Sequence, residues 1–173
     1  MRLSVIVSTY ERPGFLVPVL WGWATQTRRD FELVIADDGS GPETAAVVER
    51  MRAETQLELV HVWHEDRGFR KTEILNRAIV AASGDYLLFS DGDCIPRDDL
   101  VATHYELARR GRYLAGGYIK LPQSVSEQIT TTDVRKGRHT DLAWLRSRGW
   151  RPGRRALRMT RAPSLGALFD TLT

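Results

Sequence analysis

The chain contains a single cysteine, Cys94, which excludes an internal disulfide and offers no thiolate cluster to a metal. No Cys–His arrangement can be argued from the order of residues, so Cys94 reads as a small half-buried filler and not as a nucleophile. Long apolar runs are also missing. The first run, Leu3 to Val7, is far too short to cross a bilayer, and only Arg2 precedes it, so neither a transmembrane helix nor a secretory signal is expected. A cytoplasmic chain is the expectation from both absences. Internal repeats and low-complexity stretches are absent too, and no G-x-x-x-x-G-K-[ST] or G-x-G-x-x-G follows the first predicted strand, which disfavours a P-loop enzyme or a dinucleotide oxidoreductase.

Positive charge is scarce before residue 133 and abundant after it. Residues 133–173 carry 10 Lys and Arg against 3 Asp and Glu, inside a chain whose net charge is only +3. Such a segment suits phosphate, anionic lipid headgroups or nucleic acid. Sparse aromatic interleaving and the lack of any nucleic-acid motif argue against the last. A solvated face or partner edge is the plainer reading, with peripheral association at the inner face of the membrane as the functional one.

What is present is a regular alternation. Leu3 to Ser8 reads as a β-branched strand, and Pro13-Gly14 opens a helix whose apolar face is Phe15, Leu16, Val19, Leu20 and Trp23. Phe31 to Ala36 is a second strand, followed by a helix from Gly41-Pro42 with Ala45, Val48 and Met51 inward. Leu57 to Trp63 is a third strand, nearer the sheet edge, and its helix carries Ile74, Leu75, Ala78, Ile79 and Ala82 on one face. Tyr86 to Phe89, an unbroken apolar run, predicts a fourth strand buried on both faces. A helix with Leu100, Val101, Tyr105 and Ala108 inward and a fifth strand over Tyr113 to Leu121, interrupted by Gly116-Gly117, complete the pattern. The order β-α-β-α-β-α-β-α-β implies a three-layer α/β/α fold with a mostly parallel sheet. Beyond it, short helices are expected within 126–132 and 139–148, and a loop over Arg151 to Arg155.

Four predicted strands end in polar clusters: Ser8/Tyr10, Asp37/Asp38, Glu65/Asp66/Arg67 and Asp91/Asp93. In an open α/β sheet the ligand crevice lies outside the carboxyl ends of the strands, so the four clusters share one rim. Asp91 and Asp93, two apart in extended chain with Gly92 between, project to one side and suit a hard cation such as Mg²⁺ or Mn²⁺ whose other positions go to water and phosphate oxygens. Asp38 suits a base N–H or ribose hydroxyl, Tyr10 a base face, and Arg67, Arg70 and Lys71 a pyrophosphate. Any one of these clusters alone is an ordinary surface turn.

Four segments, Ser4 to Tyr10, Phe31 to Ser40, Gly68 to Asn76 and Asp91 to Pro96, closely resemble the donor-binding half of family 2 glycosyltransferases of the GT-A fold, in the same order and at the same spacings. The resemblance covers residues 2 to 121. It implies that Ser8, Tyr10 and Asp38 contact the nucleotide, most often uridine, and that Asp91 and Asp93 are the family's D-x-D pair on Mn²⁺ or Mg²⁺, with Asp91 also reaching the nucleotide. It implies a nucleotide-diphosphate sugar as donor, a saccharide or lipid-linked acceptor, and direct displacement with inversion. The Glu-Asp pair that follows a Gly-Trp-Gly-like turn in the family has no counterpart here. Glu127, Asp133, Asp141 and Asp170 are the only later acids, and each is expected on the surface. Residues 1–121 are therefore expected to form the donor-binding region, and 122–173 the start of an incomplete acceptor side. A non-catalytic nucleotide-sugar-binding fragment is the alternative. A phospho-acceptor domain modified at Asp37 or Asp38 is a weaker third reading, because it wants its acidic pair after the first strand.

Overall fold

The computed structural model describes residues 1–153. Two compact units divide the chain after Val101. The first is a three-layer α/β/α unit. Its strands β1 (Leu3–Thr9), β2 (Phe31–Asp37), β3 (Glu58–Trp63) and β4 (Tyr86–Asp91) form one sheet in the order β3-β2-β1-β4. All three pairings are parallel. The helices α1 (Pro13–Ala24), α2 (Pro42–Thr55) and α3 (Lys71–Ala81) make the crossovers, and α4 (Leu100–Leu107) follows β4.

The two central strands are buried along their whole length, which explains why they read as near-continuous apolar runs without alternation. On one face Ile6, Val34 and Ala36 pack against Ile74 and Ala78 of α3. On the other, Trp23 of α1 meets Phe31 edge-on with ring centroids 6.2 Å apart. Glu32 is a charged exception inside this core at 2 % exposed. Its carboxylate accepts from the Ser83 N–H at 2.6 Å, the Ser83 hydroxyl at 2.8 Å and the Ser4 hydroxyl. Burial pushes this carboxyl up, but the hydrogen bonds from Ser4 and Ser83 outweigh it and hold it below the usual carboxylate range. The turn into β4 is thereby fastened to the amino end of the sheet.

Several expectations are corrected by the structure. Phe15 is not inward: it is 53 % exposed, with the Arg12 guanidinium 5.6 Å from its ring centroid. On α2, Thr44 and Val47 join Val48 and Met51 inside, while Ala45 is only half-buried. On α3, Ile74 and Ala78 are buried, Leu75 and Ala82 half-buried, and Ile79 exposed, a narrower apolar stripe than the spacing suggested. β4 is not buried on both faces. It pairs only with β1, and Phe89 is 53 % exposed.

In the second unit the predicted fifth strand over 113–121 is irregular backbone. Gly116-Gly117 offers no side chains to bury and the highest backbone entropy to lose, so the alternation around it does not suffice to order a strand. The helix expected within 126–132 does not form: a turn and irregular backbone over 127–130, with Thr130 extended as the cap of the next helix, separate α5 (Gln123–Ser126) from α6 (Thr131–Arg135), whereas the expected 139–148 helix resolves into a 3-10 turn (Arg138–Thr140) and α7 (Leu142–Ser147). Val125, Leu145 and Trp150 form a small core beneath them. Asp133, expected on the surface, is buried at 6 % exposed and closes a capping box with Thr130. Hydrogen bonds from Thr130 and Arg138 hold its carboxyl down at about 2. Residues 151–153 are irregular, whereas Arg154, Arg155 and Asp170 lie outside the described residues. No helix among the described residues is long and apolar enough to cross a membrane.

Candidate functional site

Register places the strand ends side by side. Ser8 pairs with Ala36 and Asp91, and Thr9 with Asp37, so the ends of β1, β2 and β4 form one rim in the first unit. Two clusters occupy it.

The first gathers Ser8, Lys71, Asp91 and Asp93. The Ser8 hydroxyl donates to Asp91 Oδ1 at 3.0 Å, and Lys71 Nζ, from the first turn of α3, donates to the same oxygen at 2.6 Å. The Lys71 hydrogen bond holds the Asp91 carboxyl below its ordinary range, with Ser8 assisting against partial burial. Gly92 makes the turn: its N–H donates to the Ser8 carbonyl at 2.7 Å, and a Cβ there would lie 2.7 Å from that same oxygen. Only glycine lets the chain pass so close to β1.

Asp91, Asp93 and Cys94 can each offer one ligand atom, all within 4.8 Å of one another. The two carboxylates are exposed oxygen donors, which fits Mg²⁺ or Mn²⁺ holding water and phosphate at its remaining positions. Cys94 does not fit. Burial, then the neighbouring Asp93, pushes its thiol up to about 11, so it is protonated at neutral pH and is no ligand for a hard cation.

The second cluster is built around buried acids. Asp37 is fully buried, with its Oδ2 2.9 Å from His61 Nε2 and its Oδ1 accepting the Ser40 N–H at 2.9 Å. Burial raises its carboxyl, but hydrogen bonds from His61 and Ser40 win and leave it below the ordinary value. Asp38, 4 % exposed, receives His64 Nε2 on Oδ1 at 2.8 Å and the Arg70 N–H on Oδ2 at 3.0 Å. Tyr10 stays 48 % exposed, and its hydroxyl donates to Asp66 Oδ2 at 3.1 Å. Gly39, at φ +98°, lets the Asp66 backbone lie against it, since a Cβ there would be 2.6 Å from Asp66 Cα.

The three basic residues expected at one pyrophosphate separate. Lys71 reaches Asp91, whereas the Arg67 side chain pairs with Glu65 at 2.8 Å and the Arg70 side chain with Glu73. Those two arginines, with Trp63, His64, Glu65 and Arg77, line a cavity of about 320 Å³. His61 and His64, the partners that fix Asp37 and Asp38, were not singled out from the sequence. A histidine inside an apolar edge strand, opposite Ile35 and two residues short of the position facing Asp37, is the available signal for His61.

An open parallel sheet with acids at its carboxyl rim and helices on both faces is the arrangement this chain shares with its structural neighbours, glycosyltransferases of the GT-A fold. The chain belongs to glycosyl transferase family 2, which it matches over residues 4–164. It is 38 % identical over 91 residues to the validoxylamine A glucosyltransferase of Streptomyces hygroscopicus subsp. jinggangensis, a match covering 51 % of this chain and 21 % of that protein. Among solved structures it resembles the mannosyltransferase PcManGT of Pyrobaculum calidifontis in complex with GDP-Man and Mn²⁺ (30 % identity, TM-score 0.56, covering 63 % of this chain and 33 % of that one). It also resembles S. aureus TarS 1-349 in complex with UDP-GlcNAc (27 % identity, TM-score 0.51, 72 % and 38 %). The matched region thus spans about a fifth of the curated relative, 33 % of one solved chain and 38 % of the other.

Proposed function

We propose that this chain supplies the donor-binding half of a glycosyltransferase that takes a sugar from a nucleoside diphosphate, with Asp91 and Asp93 holding Mn²⁺ or Mg²⁺. The observation that carries the reading is the exposed acid pair at the end of β4, with Ser8 and Lys71 both on Asp91 Oδ1. A bound cation would supply charge neutralisation and a template for the departing diphosphate. The protein's own groups do the rest. Lys71, whose ammonium has further protons to donate, turns toward a phosphate oxygen when one arrives; Ser8 keeps Asp91 oriented; Gly92 permits close approach of the backbone. Half of Tyr10 is open to solvent and offers an aromatic face to a base, and the unused lone pairs of Asp38 receive a base N–H.

The donor proposed is UDP-linked, on the sequence resemblance; the GDP-Man bound by PcManGT makes guanosine the alternative to exclude. The acceptor proposed is a saccharide or lipid-linked saccharide, and the reaction a single displacement with inversion. Residues 1–121 would form the donor side and 122–173 the beginning of the acceptor side. No acid among the described residues of the later segment is assigned as the base. Asp133 is committed to its cap, and Asp141 caps α7 by accepting the Ala143 and Trp144 N–H groups at 2.8 and 3.1 Å. That commitment favours, as second reading, a nucleotide-sugar-binding unit without turnover of its own. The phospho-acceptor reading is disfavoured by the burial of Asp37 and Asp38.

Calorimetry with UDP, GDP and uridine, with and without Mn²⁺, tests the site. Metal-dependent binding of UDP that disappears in Asp91→Asn is expected under both readings; binding indifferent to metal and to that substitution would overturn them. Release of UDP from a donor in the presence of an acceptor separates the transferase from the binding unit.

A further inference from the structure

We propose that Gln26 is a positioning residue for the turn that carries Asp91 and Asp93, an inference that rests on the reading of that turn as the cation and diphosphate site. Gln26 follows the end of α1 and is 3 % exposed, so its amide can be satisfied only by protein. Its Nε2 donates to the Arg97 carbonyl at 2.7 Å and to the Gly22 carbonyl at 3.1 Å, and its Oε1 accepts the Val101 N–H at 3.0 Å. One side chain therefore grips two points of the backbone downstream of the acids. The Thr27 N–H adds a third grip, donating to the Asp98 carbonyl at 2.7 Å.

The same segment is seated on α1 by shape. Gly22 leaves room for Ile95 and Pro96, because a Cβ at that position would lie 2.7 Å from Pro96 Cδ and 2.9 Å from Ile95 Cγ2. At its other end the segment is tied to β1 by the Gly92 N–H on the Ser8 carbonyl, and the Cys94 N–H on the Asp91 carbonyl, at 3.1 Å, closes the turn between. Asp91 and Asp93 thus sit on a short stretch fixed on β1 on one side and on the end of α1 on the other. An exposed carboxylate pair has no packing of its own to hold its spacing, so the precision needed to share a cation with a diphosphate has to come from residues behind it. Gln26 is the buried polar side chain that meets this stretch from the α1 side.

Two measurements on the full chain test this. Replacing Gln26 by leucine, Gln26→Leu, should lower the gain in UDP affinity that Mn²⁺ confers by roughly tenfold to a hundredfold, while metal-free binding of uridine changes by less than about twofold. Amide hydrogen exchange without ligand should show the Val101 and Gly92 N–H groups exchanging faster while those of β1 and β2 remain protected. Accelerated exchange at Val101 with an unaltered Gly92 and an unaltered metal gain would overturn the proposal and leave Gln26 a stabiliser of the loop alone. Absence of any metal gain in the unsubstituted protein would sink the cation site, while exchange at Gly92 would still decide whether Gln26 holds the turn. Should Gln26→Leu fail to fold, Gln26→Met, which keeps the length and volume of the side chain and loses its amide, carries the same test.

Discussion

The acid pairs after β2 and β4 are spelled almost alike, Asp37-Asp38-Gly39 and Asp91-Gly92-Asp93, yet they live in opposite surroundings. β2 is flanked by strands on both sides, and its acids are sealed at 0 % and 4 % exposed, with His61, Ser40, His64 and the Arg70 N–H around them. β4 pairs on one side only, and the Asp91 side chain is 57 % exposed, touched by Ser8 and Lys71. An acid enclosed by its neighbours chiefly organises the rim, Asp38 keeping for a ligand only the lone pairs that His64 and the Arg70 N–H leave; an acid left open receives what comes to it. Position in the sheet, and not the motif's letters, separates the two roles.

The sharpest way to break that contrast is to remove each pair in turn. Asp37→Ala should cost roughly 3 kcal/mol of stability in urea unfolding, because it strands a half-buried histidine and the Ser40 N–H at once. A loss below about 1 kcal/mol would show that the buried pair is not what holds the β2 loop. At the other pair the ranking should invert. Asp91→Asn or Asp93→Asn should change stability by no more than about 0.5 kcal/mol, as exposed substitutions do. Either should reduce the metal-dependent gain in UDP affinity by roughly tenfold or more. A destabilised Asp91→Asn with intact metal response would reverse the assignment.

Lys71 tests the same cluster more gently. Its ammonium contacts Asp91 and faces the place proposed for the diphosphate, so Lys71→Ala should weaken UDP by about tenfold and uridine hardly at all. An equal loss for both ligands would move Lys71 away from the phosphates. Arg70→Ala is the control within the same loop: its side chain is engaged with Glu73, so its effect on UDP should be the smaller of the two.

Much of this was legible in the residues themselves. The apolar runs of β1 and β2 and the i, i+3, i+4 spacing on α3 named the layers, and the repeated ending of strands in acid and glycine named the rim. What could not be read was which acids are sealed. Exposure depends on how many strands flank each one, and strand order is not written locally. The fate of 113–121 failed for a related reason: alternation there resembles a strand, but ordering also needs a partner edge and side chains to bury, which Gly116-Gly117 lacks. Proximity in sequence suggests one target for Arg67, Arg70 and Lys71. Glu65 and Glu73, two and three residues away, draw their guanidinium groups elsewhere.

Acid titration offers the finest comparison of the two pairs. Hydrogen bonds set Asp37 below its unfolded value despite burial, so its contribution is complete above the unfolded carboxyl range, about pH 4. As pH falls from there through the lower folded value, the unfolded chain takes up the proton first and the contribution is lost. Asp91 is lowered in the same direction by Lys71 and loses its contribution in the same window, but solvent and salt screen an exposed pair. Unfolding midpoints taken between about pH 5 and pH 2.5 should therefore show a shallower acid slope in Asp37→Asn than in Asp91→Asn. Added salt should flatten the part that Asp91 supplies and spare the part from Asp37. Equal slopes in the two variants would mean that the buried and exposed acids are held with equal strength, and the contrast between a sealed pair and an open one would fall.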